Sequence, residues 1–319
     1  MIPSLLKAFH HRRLLRYIPI FSLGLFTTLL VINGCGTTEQ TGQLSASEHQ
    51  EMVDTWHNER VESIQERDGW MKLAGLYWLD EGENTFGTAD KNDVRFPEGT
   101  VPEQAGYFMV EGSEVSIHLN EDLDIKLEDG SALDSSTIFT PDEAKRLVYD
   151  RLLWTVIQRE DKIGIRLFDE ESPYYTSFTG FDRYPVDLKW RVEAEFVPHE
   201  DRSSIAVTNI LGQTVEDDSP GKLVFEIDGE EYSLDVLDAD DSFFIPFGDE
   251  TNRGETYGSG RYIYTDTPDD DGKVIIDFNK SYNPPCAYNP YTTCQLPPDQ
   301  NRLSIAVTAG EKDYTIPVD

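Results

Sequence analysis

From residue 73 onward the chain consists mainly of short segments in which apolar and polar residues alternate, and this pattern constrains its fold more than any other feature. Successive side chains of a β-strand point to opposite faces, so alternation is typical of strands with one buried face. Turns rich in Asp, Gly and Pro separate the segments, and many short strands at this spacing predict an all-β fold of sandwich- or barrel-like modules. The predicted strands cover residues 73–79, 107–110, 115–119, 152–159, 163–168, 190–197, 204–207, 223–227, 232–237, 243–247, 261–264, 274–278 and 303–307.

One helix is predicted ahead of the strands, over residues 45–68. Ser45 and Glu48 have the spacing of a capping box, in which each side chain bonds a backbone N–H of the first turn. Gly69 is predicted to end the helix. Its expected apolar face is formed by Met52, Val53, Trp56, Val61 and Ile64.

The turn residues around 130–142 predict a division of the β-region. Gly130-Ser131 and Thr140-Pro141-Asp142 interrupt the alternation there. We therefore predict a smaller β-module over residues 69–140 and a larger C-terminal β-domain over residues 141–319.

The N-terminus has the order of an export signal: four basic residues, then fifteen uncharged and mostly apolar residues from Ile18 to Ile32. The sequence Ile32-Asn33-Gly34-Cys35 that follows resembles the bacterial lipobox. The resemblance implies cleavage of residues 1–34 and acylation of Cys35, with residues 35–44 as a tether. The chain is then expected to be exported and lipid-anchored at the cell envelope. The alternatives are a plain cleaved signal or an uncleaved helix, with Cys35 incidental.

The net charge of −33 excludes some classes of partner. Nucleic-acid binding needs a basic surface, and the acidic excess here is spread along the whole chain. The same charge disfavours docking of the folded surface on anionic lipid. A salt-rich habitat would make such a charge tolerable by screening its self-repulsion, and we state this as a hypothesis.

Beyond Cys35 the chain has two cysteines, Cys286 and Cys294. In an oxidising compartment an isolated pair at this spacing favours a disulfide, while two free buried thiols are the alternative. Zinc usually needs four ligands, so two cysteines without a nearby His do not predict a metal site.

The densest group of polar residues lies in the C-terminal third, and we refer to it as the polar constellation. An Arg beside carboxylates and amides can hold a small polar ligand, and a Glu/Asp pair can act as general acid and base. The same residues can also form a purely structural network, which is the favoured interpretation. The constellation comprises Asp249, Thr251, Arg253, Glu255, Tyr257, Arg261, Asp277, Asn279, Tyr282 and Asn283. The candidate ligand or catalytic residues among them are Arg261, Glu255, Tyr257, Asp277, Asn279 and Asn283.

Other catalytic and cofactor motifs are not found in the sequence. No His of the mature chain lies within the constellation in sequence, and no Gly-x-Ser-x-Gly, P-loop or dinucleotide motif occurs, so no cofactor is predicted. Asp269-Asp270-Asp271-Gly272 departs from an EF-hand and predicts a hairpin turn. A second cluster joins Arg166 and Asp169 to the aromatic residues of 174–184, which could stack on a sugar or peptide but more often pack in a core.

Several blocks of the chain resemble the bacterial family of unknown function DUF1684. The most specific runs from Ile276-Asp277-Phe278-Asn279 through Asn283-Pro284-Pro285-Cys286-Ala287 to Cys294-Gln295-Leu296-Pro297-Pro298. Gly254 to Tyr262 and the stretch from Gly69 to Pro97 belong to the same resemblance. It is expected to cover nearly everything after residue 50, and it implies architecture without implying an activity.

The block Gly82-Glu83-Asn84, Gly87 and Asn92-Asp93-Val94 also resembles the start of a forkhead-associated (FHA) module, a β-sandwich that binds phosphothreonine. Thr88 stands where those modules have an Arg, and the later Ser and His are missing. An FHA-like fold is therefore predicted for residues 69–140, without phosphopeptide binding.

Together these patterns predict a lipid-anchored envelope protein with a binding or structural role and a possible small polar ligand site. The expected partners are the membrane, through the lipid, and a small polar ligand or envelope component. The alternative is a hydrolase that uses Glu255 or Asp277 as its acid/base carboxylate.

Overall fold

The structure is a computed structural model that describes residues 44–120, 123–133 and 135–316, with the side chains of residues 201 and 202 left out. The export signal, Cys35 and most of the tether lie outside these residues. From Ala46 onward the chain forms one compact unit. Within the described ranges, no helix is both long and apolar enough to span a bilayer.

Helix α1 (Ala46–Ser63) is the long helix at the start of the described chain. The face it buries carries His49, Val53, His57 and Arg60, spaced at three and four residues as helix geometry requires. Of the predicted apolar face, Val53 and Ile64 are buried and Val61 packs against the cluster of Ile64, whereas Met52 is 46% exposed. The sequence pattern did not predict that polar side chains of α1 are buried beside Val53.

The β-region contains the following described strands, in chain order. They are β1 (Leu73–Trp78), β2 (Gly82–Gly87), β3 (Val94–Arg95), β4 (Gly106–Glu111), β5 (Glu114–Leu119), β6 (Lys126–Leu127), β7 (Thr137–Thr140), β8 (Glu143–Ala144), β9 (Arg146–Tyr149), β10 (Leu152–Arg159), β11 (Lys162–Asp169), β12 (Arg191–Thr208), β13 (Thr214–Ile227), β14 (Glu230–Ala239), β15 (Ser242–Phe247), β16 (Arg261–Asp266) and β17 (Lys273–Asp277). A short helix, α2 (Pro173–Thr176), follows β11. The all-β prediction is confirmed.

Two sheets enclose a first core. One has the order β1-β11-β10-β9-β6 and the other the order β3-β2-β4-β5-β7-β8. Phe86, Phe96, Phe108 and Trp154 meet in the core between them at ring-centroid distances of 4.7–5.4 Å. Strands β9 to β11 contribute to this core, so it extends beyond residue 140, where the turn residues predict a boundary.

A third sheet, with the order β16-β15-β14-β13-β12-β17, surrounds a second core. The Asp228-Gly229 turn joins β13 to β14 with positive φ at both residues, which is the geometry that tight hairpins require. Tyr262 on β16 exchanges two backbone hydrogen bonds of 2.9 Å with Tyr282, just beyond β17, so the two edges of the sheet approach each other. The second core includes Trp190, Phe247 and Phe278.

The predicted strand over residues 303–307 is not present. The segment bends at Ser304 and Ile305, and Leu303 and Val307 are buried in the second core. Its backbone pairs with the loop after β15, because the N–H of Leu303 donates to the carbonyl of Gly248 and the N–H of Glu250 donates to the carbonyl of Ile305.

Candidate functional site

Arg261, the first residue of β16, is completely buried. Its Nη2 donates to Oδ2 of Asp249 at 2.8 Å and to the carbonyl of Val307 at 2.9 Å, while Nη1 donates to the carbonyl of Ala309. Asp249 in turn accepts hydrogen bonds from the backbone N–H and hydroxyl of Thr251. Arg261 therefore holds the 307–309 segment through its carbonyls.

Asp277 and Asn279 lie together, although β17 ends at Asp277 and the following residues form a 3₁₀ turn. The side-chain Nδ2 of Asn279 donates to Oδ1 of Asp277 at 2.9 Å. Asn279 also bonds both the N–H and the carbonyl of Asp187, at 2.9 and 3.0 Å. Its amide thereby fixes the segment that contains Asp187.

His49 of α1 contacts the other oxygen of Asp277. Its Nε2 lies 2.7 Å from Oδ2 of Asp277, and the imidazole is fully buried. Nδ1 has no hydrogen-bond partner among the described residues. The prediction that no His lies in the constellation is wrong, because the helix brings in a residue 228 positions away in sequence.

A second buried carboxylate, Glu311, receives the other end of α1. Nε of Arg60 donates to Oε1 of Glu311 at 2.9 Å, and Nη2 donates to Oε2 at 3.1 Å and to the carbonyl of Asn283 at 3.1 Å. The backbone N–H of Asn283 also donates to Glu311, at 2.8 Å. The guanidinium of Arg60 lies over the ring of Tyr282, 4.4 Å from its centroid.

Glu255 and Tyr257 lie apart from the buried part of the constellation. Glu255 is exposed and accepts a hydrogen bond of 3.0 Å from the hydroxyl of Tyr184. Burial, and then this bond, raise the pKa of Tyr184 to about 12. Tyr257 packs against an aromatic cluster that contains Phe181 and Tyr288.

Three segments line a cleft of about 500 Å³, which we call the α1 cleft. They are the first turn of α1 at Ala46, residues 184–190, and Thr308. Tyr184 offers an aromatic ring, and Asp187, Lys189 and Thr308 offer polar groups, whereas Trp190 is only 3% exposed. A concave site that combines an aromatic side chain with a few polar groups is a usual form of a small-molecule site.

Each wall of the α1 cleft is held from behind by a residue of the polar constellation. Asp277 bonds His49, one helical turn after Ala46, and Asn279 bonds the backbone of Asp187. Arg261 binds the carbonyls on both sides of Thr308. The predicted site residues therefore support the cleft, and none of those three lines it.

Tyr184 and Pro185 belong to the second predicted cluster, while the other lining residues were missed by sequence reasoning, as were His49, Arg60 and Glu311. Two signals were available. His49, Val53, His57 and Arg60 follow helical spacing, and Asp187 precedes Trp190 in a Pro-containing segment. Neither signal indicates a partner, because every contact joins positions far apart in the chain.

The disulfide prediction is confirmed. Cys286 and Cys294 are bonded, with their Cα atoms 6.1 Å apart. Within the loop that they close, Asn289 donates from its side-chain amide to the carbonyls of Trp70 and Leu73, at 3.0 and 2.7 Å. The loop thus links the C-terminal region to the start of β1.

The second predicted cluster separates in the structure. Phe178 and Phe181 pack edge to face within the aromatic cluster that also holds Tyr288, which agrees with the packing interpretation. Asp169 pairs with Arg151 at 3.0 Å instead of with Arg166. Among the residues that the structure describes, no group of acidic, His or Cys side chains is arranged to hold a metal ion.

The structure thus defines a β-rich protein with an open cleft of about 500 Å³ beside α1. Residues 176–312 match the model of a family described as protein of unknown function (DUF1684). The match is shorter than expected from the resemblance, since the blocks between Gly69 and Pro97 lie outside it. It includes 184–190 and Thr308 of the cleft lining.

One similar solved structure is the solution NMR structure of an uncharacterised protein of Haloarcula marismortui. It is 35% identical over 43% of this chain and 78% of that chain, with a TM-score of 0.36. Among functionally curated proteins, none matches the chain significantly.

Proposed function

We propose that this protein is a lipid-anchored protein of the cell envelope that binds a small polar ligand in the α1 cleft without catalysing a reaction. One observation carries the binding function: each wall of the cleft is fixed from behind by a buried side-chain network. Fixed walls lower the entropy lost on binding, which is how preorganised sites gain affinity.

The lining indicates the chemistry of the ligand. Tyr184 favours a partner with an apolar face, while Lys189, Asp187 and Thr308 supply charge and hydrogen bonds. Sugars and short peptides have both kinds of surface, and both are abundant in a cell envelope. A polar ligand that stacks on an aromatic ring is therefore the expected occupant.

The anchoring part of the proposal is supported by the basic N-terminus, the apolar stretch and Cys35. Two or more acyl chains hold a protein stably on a bilayer, whereas one binds only marginally. A Cys35→Ser variant of the full chain is expected to lose labelling by palmitate and to leave the membrane fraction. Labelling and fractionation equal to the wild type would reject lipidation at Cys35.

A hydrolase remains the second candidate because of the pair formed by His49 and Asp277, in which a carboxylate orients an imidazole at 2.7 Å. A general base must reach the proton that it removes. His49 is fully buried, which favours binding over catalysis. If the protein is a hydrolase, Asp277→Asn should abolish its hydrolytic activity. If it is a binding protein, the wild type has no hydrolytic activity and the variant only lowers the stability of the fold.

For the first β-module we infer an FHA-like sandwich that has lost phosphopeptide recognition. Two sheets that face each other around one core support this fold. The motif residues act locally: Asn84 bonds the carbonyls of Asp80 and Gly82, and Asp93 accepts from Thr85. Such contacts support a role in shaping loops.

The binding test uses the detergent-extracted full chain and a panel of envelope saccharides and short peptides, followed by titration calorimetry. Lys189→Ala is expected to weaken any ligand found in the wild type, because Lys189 lines the cleft. Lys91→Ala is the matched control, since Lys91 is an exposed lysine of the first β-module. Equal affinities in wild type and Lys189→Ala would place the ligand elsewhere.

A further inference from the structure

Two segments that line the α1 cleft start as an antiparallel pair and then separate. Arg183 and Glu311 form an isolated antiparallel bridge, and the N–H of Tyr184 donates to the carbonyl of Gly310 at 2.9 Å. Beyond this bridge neither segment continues as a strand. Both segments contribute to the lining of the α1 cleft, which therefore opens where they diverge.

Val186 and Thr308 occupy matching positions on these two segments, because each lies three residues from the bridge along its own segment. Hydrogen-bonded positions recur at every second residue of an antiparallel pair. Tyr184 is such a position, so Val186 and Thr308 would form the next one. Among the described residues, however, the N–H and carbonyl of Val186 and the carbonyl of Thr308 have no hydrogen-bond partner. The pairing is interrupted at this point, and both residues are partly exposed.

The neighbouring backbone groups indicate where the free ones point. Arg261 binds the carbonyls on both sides of Thr308, and successive carbonyls of an extended chain point in opposite directions, so that of Thr308 faces away from Arg261. In the other wall Asn279 binds the N–H and carbonyl of Asp187, which has extended dihedral angles. The same alternation turns the backbone groups of Val186 away from Asn279. Each wall is therefore held from behind and offers free backbone groups to the cleft.

Lys189 adds a free positive charge to the α1 cleft. Its ammonium group lies 4.8 Å from the centroid of the Trp190 ring, and among the described residues no carboxylate lies within ion-pair distance of it. In a chain with a net charge of −33, an unpaired cation in a cleft favours a ligand that carries a carboxylate.

Free backbone groups on two separated segments are suited to one kind of ligand. An extended peptide presents N–H and carbonyl groups alternately to its two sides, at the spacing that a neighbouring strand requires. Peptides that add a strand to an open edge gain affinity through these main-chain bonds. The hydroxyl groups of a sugar both donate and accept, but they do not repeat at this spacing. The volume of about 500 Å³ lies within the range of small-molecule sites.

We propose that the α1 cleft binds a short peptide in extended form, which enters between the two segments as an added strand with its C-terminal carboxylate beside Lys189. Because Lys189 follows Val186 in the chain, the peptide runs parallel to this segment. In a tripeptide, the first carbonyl and the third N–H then bond Val186, and the second N–H donates to the carbonyl of Thr308. The inference rests on the proposed binding function and narrows its ligand to peptides.

The first test titrates the detergent-extracted full chain with the tripeptides Ala-Phe-Ala, Ala-Lys-Ala and Ala-Glu-Ala, by calorimetry. The wild type is expected to bind at least one of them at a single saturable site. Replacing either amide of that tripeptide by an ester removes one N–H donor with little change of shape. Each replacement should weaken binding roughly threefold to tenfold, as expected for one lost hydrogen bond.

The second test combines a protein variant with a change in the peptide. Lys189→Met and amidation of the peptide C-terminus each remove one partner of the same ion pair, and each should weaken binding roughly twofold to fivefold. The two changes together should weaken binding no more than either does alone. Lys91→Met is the control, because Lys91 is an exposed lysine of the first β-module and should leave the affinity unchanged.

Three results would overturn the inference: no saturable binding of any tripeptide, equal affinities for the amide and both ester forms, or additive losses from Lys189→Met and amidation. A disaccharide of N-acetylglucosamine separates this outcome from the proposed function. If the wild type binds the disaccharide, Lys189→Ala weakens that binding and no tripeptide binds, the cleft is a binding site and the peptide inference is wrong. If neither class of ligand binds, both are wrong.

Discussion

The carboxylate of Glu311 is bound by Arg60 through two hydrogen bonds, at 2.9 and 3.1 Å, across 251 positions of sequence. Together with the contact between His49 and Asp277, it docks α1 on the C-terminal region through two buried polar pairs. The helix is short of apolar residues on this face, so these pairs specify how it docks.

Glu311→Gln is expected to lower the free energy of unfolding by about 3–5 kcal/mol, because it leaves the buried charge of Arg60 without its partner. Urea unfolding of the full chain measures this. Asp90→Asn is the control, since the side chain of Asp90 is itself 85% exposed in its ion pair with Arg95. The effect of this substitution on the free energy of unfolding should stay within about 1 kcal/mol. Similar losses in the two variants would contradict a special role for Glu311.

Protonation of His57 should destabilise the docked helix. Burial is the main cause that lowers its pKa below 6.5, opposed by the charge of Glu311 and reinforced by Arg183 and Arg60. The folded state therefore binds this proton more weakly than the unfolded state does. The contribution of His57 is fully present above pH 6.5 and is lost as the pH falls through the folded-state pKa.

Unfolding free energies at pH 7.5, 6.5 and 5.5, for the wild type and His57→Gln, test this sign. The wild type should lose more stability than the variant between pH 6.5 and 5.5, because the variant lacks the titrating imidazole. Asp54 also faces His57, but a hydrogen bond from Gln50 and its contact with Arg183 lower its pKa below 3.8, so it stays ionised throughout this range. If the variant lost more unfolding free energy than the wild type over this range, the folded state would bind the proton of His57 more tightly than the unfolded state, which is the opposite of the prediction.

Arg261→Met should also cost about 3–5 kcal/mol, because Asp249 is then buried without its cation. The double variant Arg261→Met/Asp249→Leu should recover part of this loss, since no uncompensated charge remains. Recovery is only partial, because Asp249 also accepts hydrogen bonds from Thr251 and from the N–H of Val307. Strictly additive losses in the double-mutant cycle would mean that the pair is not coupled.

Sodium chloride at molar concentration is expected to raise the thermal midpoint of the wild type. A net charge of −33 repels itself, and the Debye length falls from about 8 Å at 0.15 M salt to about 3 Å at 1 M. Thermal unfolding at 0.15 and 1 M NaCl measures the effect. An unchanged midpoint would remove the support for adaptation to a salt-rich habitat.

Local pattern was sufficient to predict several elements. Strand β10 has the bounds that its alternation predicts, and the Asp228-Gly229 turn joins β13 to β14 as its residues require. The short strands β3, β6 and β8 were missed, since two residues carry no period. In each case the outcome depends on a few neighbouring residues, which either show an alternating or turn pattern or are too few to show one.

The disulfide and the polar constellation were also accessible from sequence, because unusual residue types cluster there. Their roles were not. Sequence alone places Arg261 beside possible carboxylates, but only the fold decides that its partners are Asp249 and the carbonyls around residue 308.

The amino-acid sequence by itself determined the all-β class, the helix ahead of it, the cysteine pair and the acidic character of the chain. These follow from periodicity, composition and spacing, which act over short stretches. The tertiary structure decided which polar side chains of α1 are buried, which residues line the α1 cleft, and which carboxylates pair with Arg60 and Arg261. Those outcomes depend on pairing and desolvation between segments up to 251 residues apart, and such interactions exist only once the chain has folded.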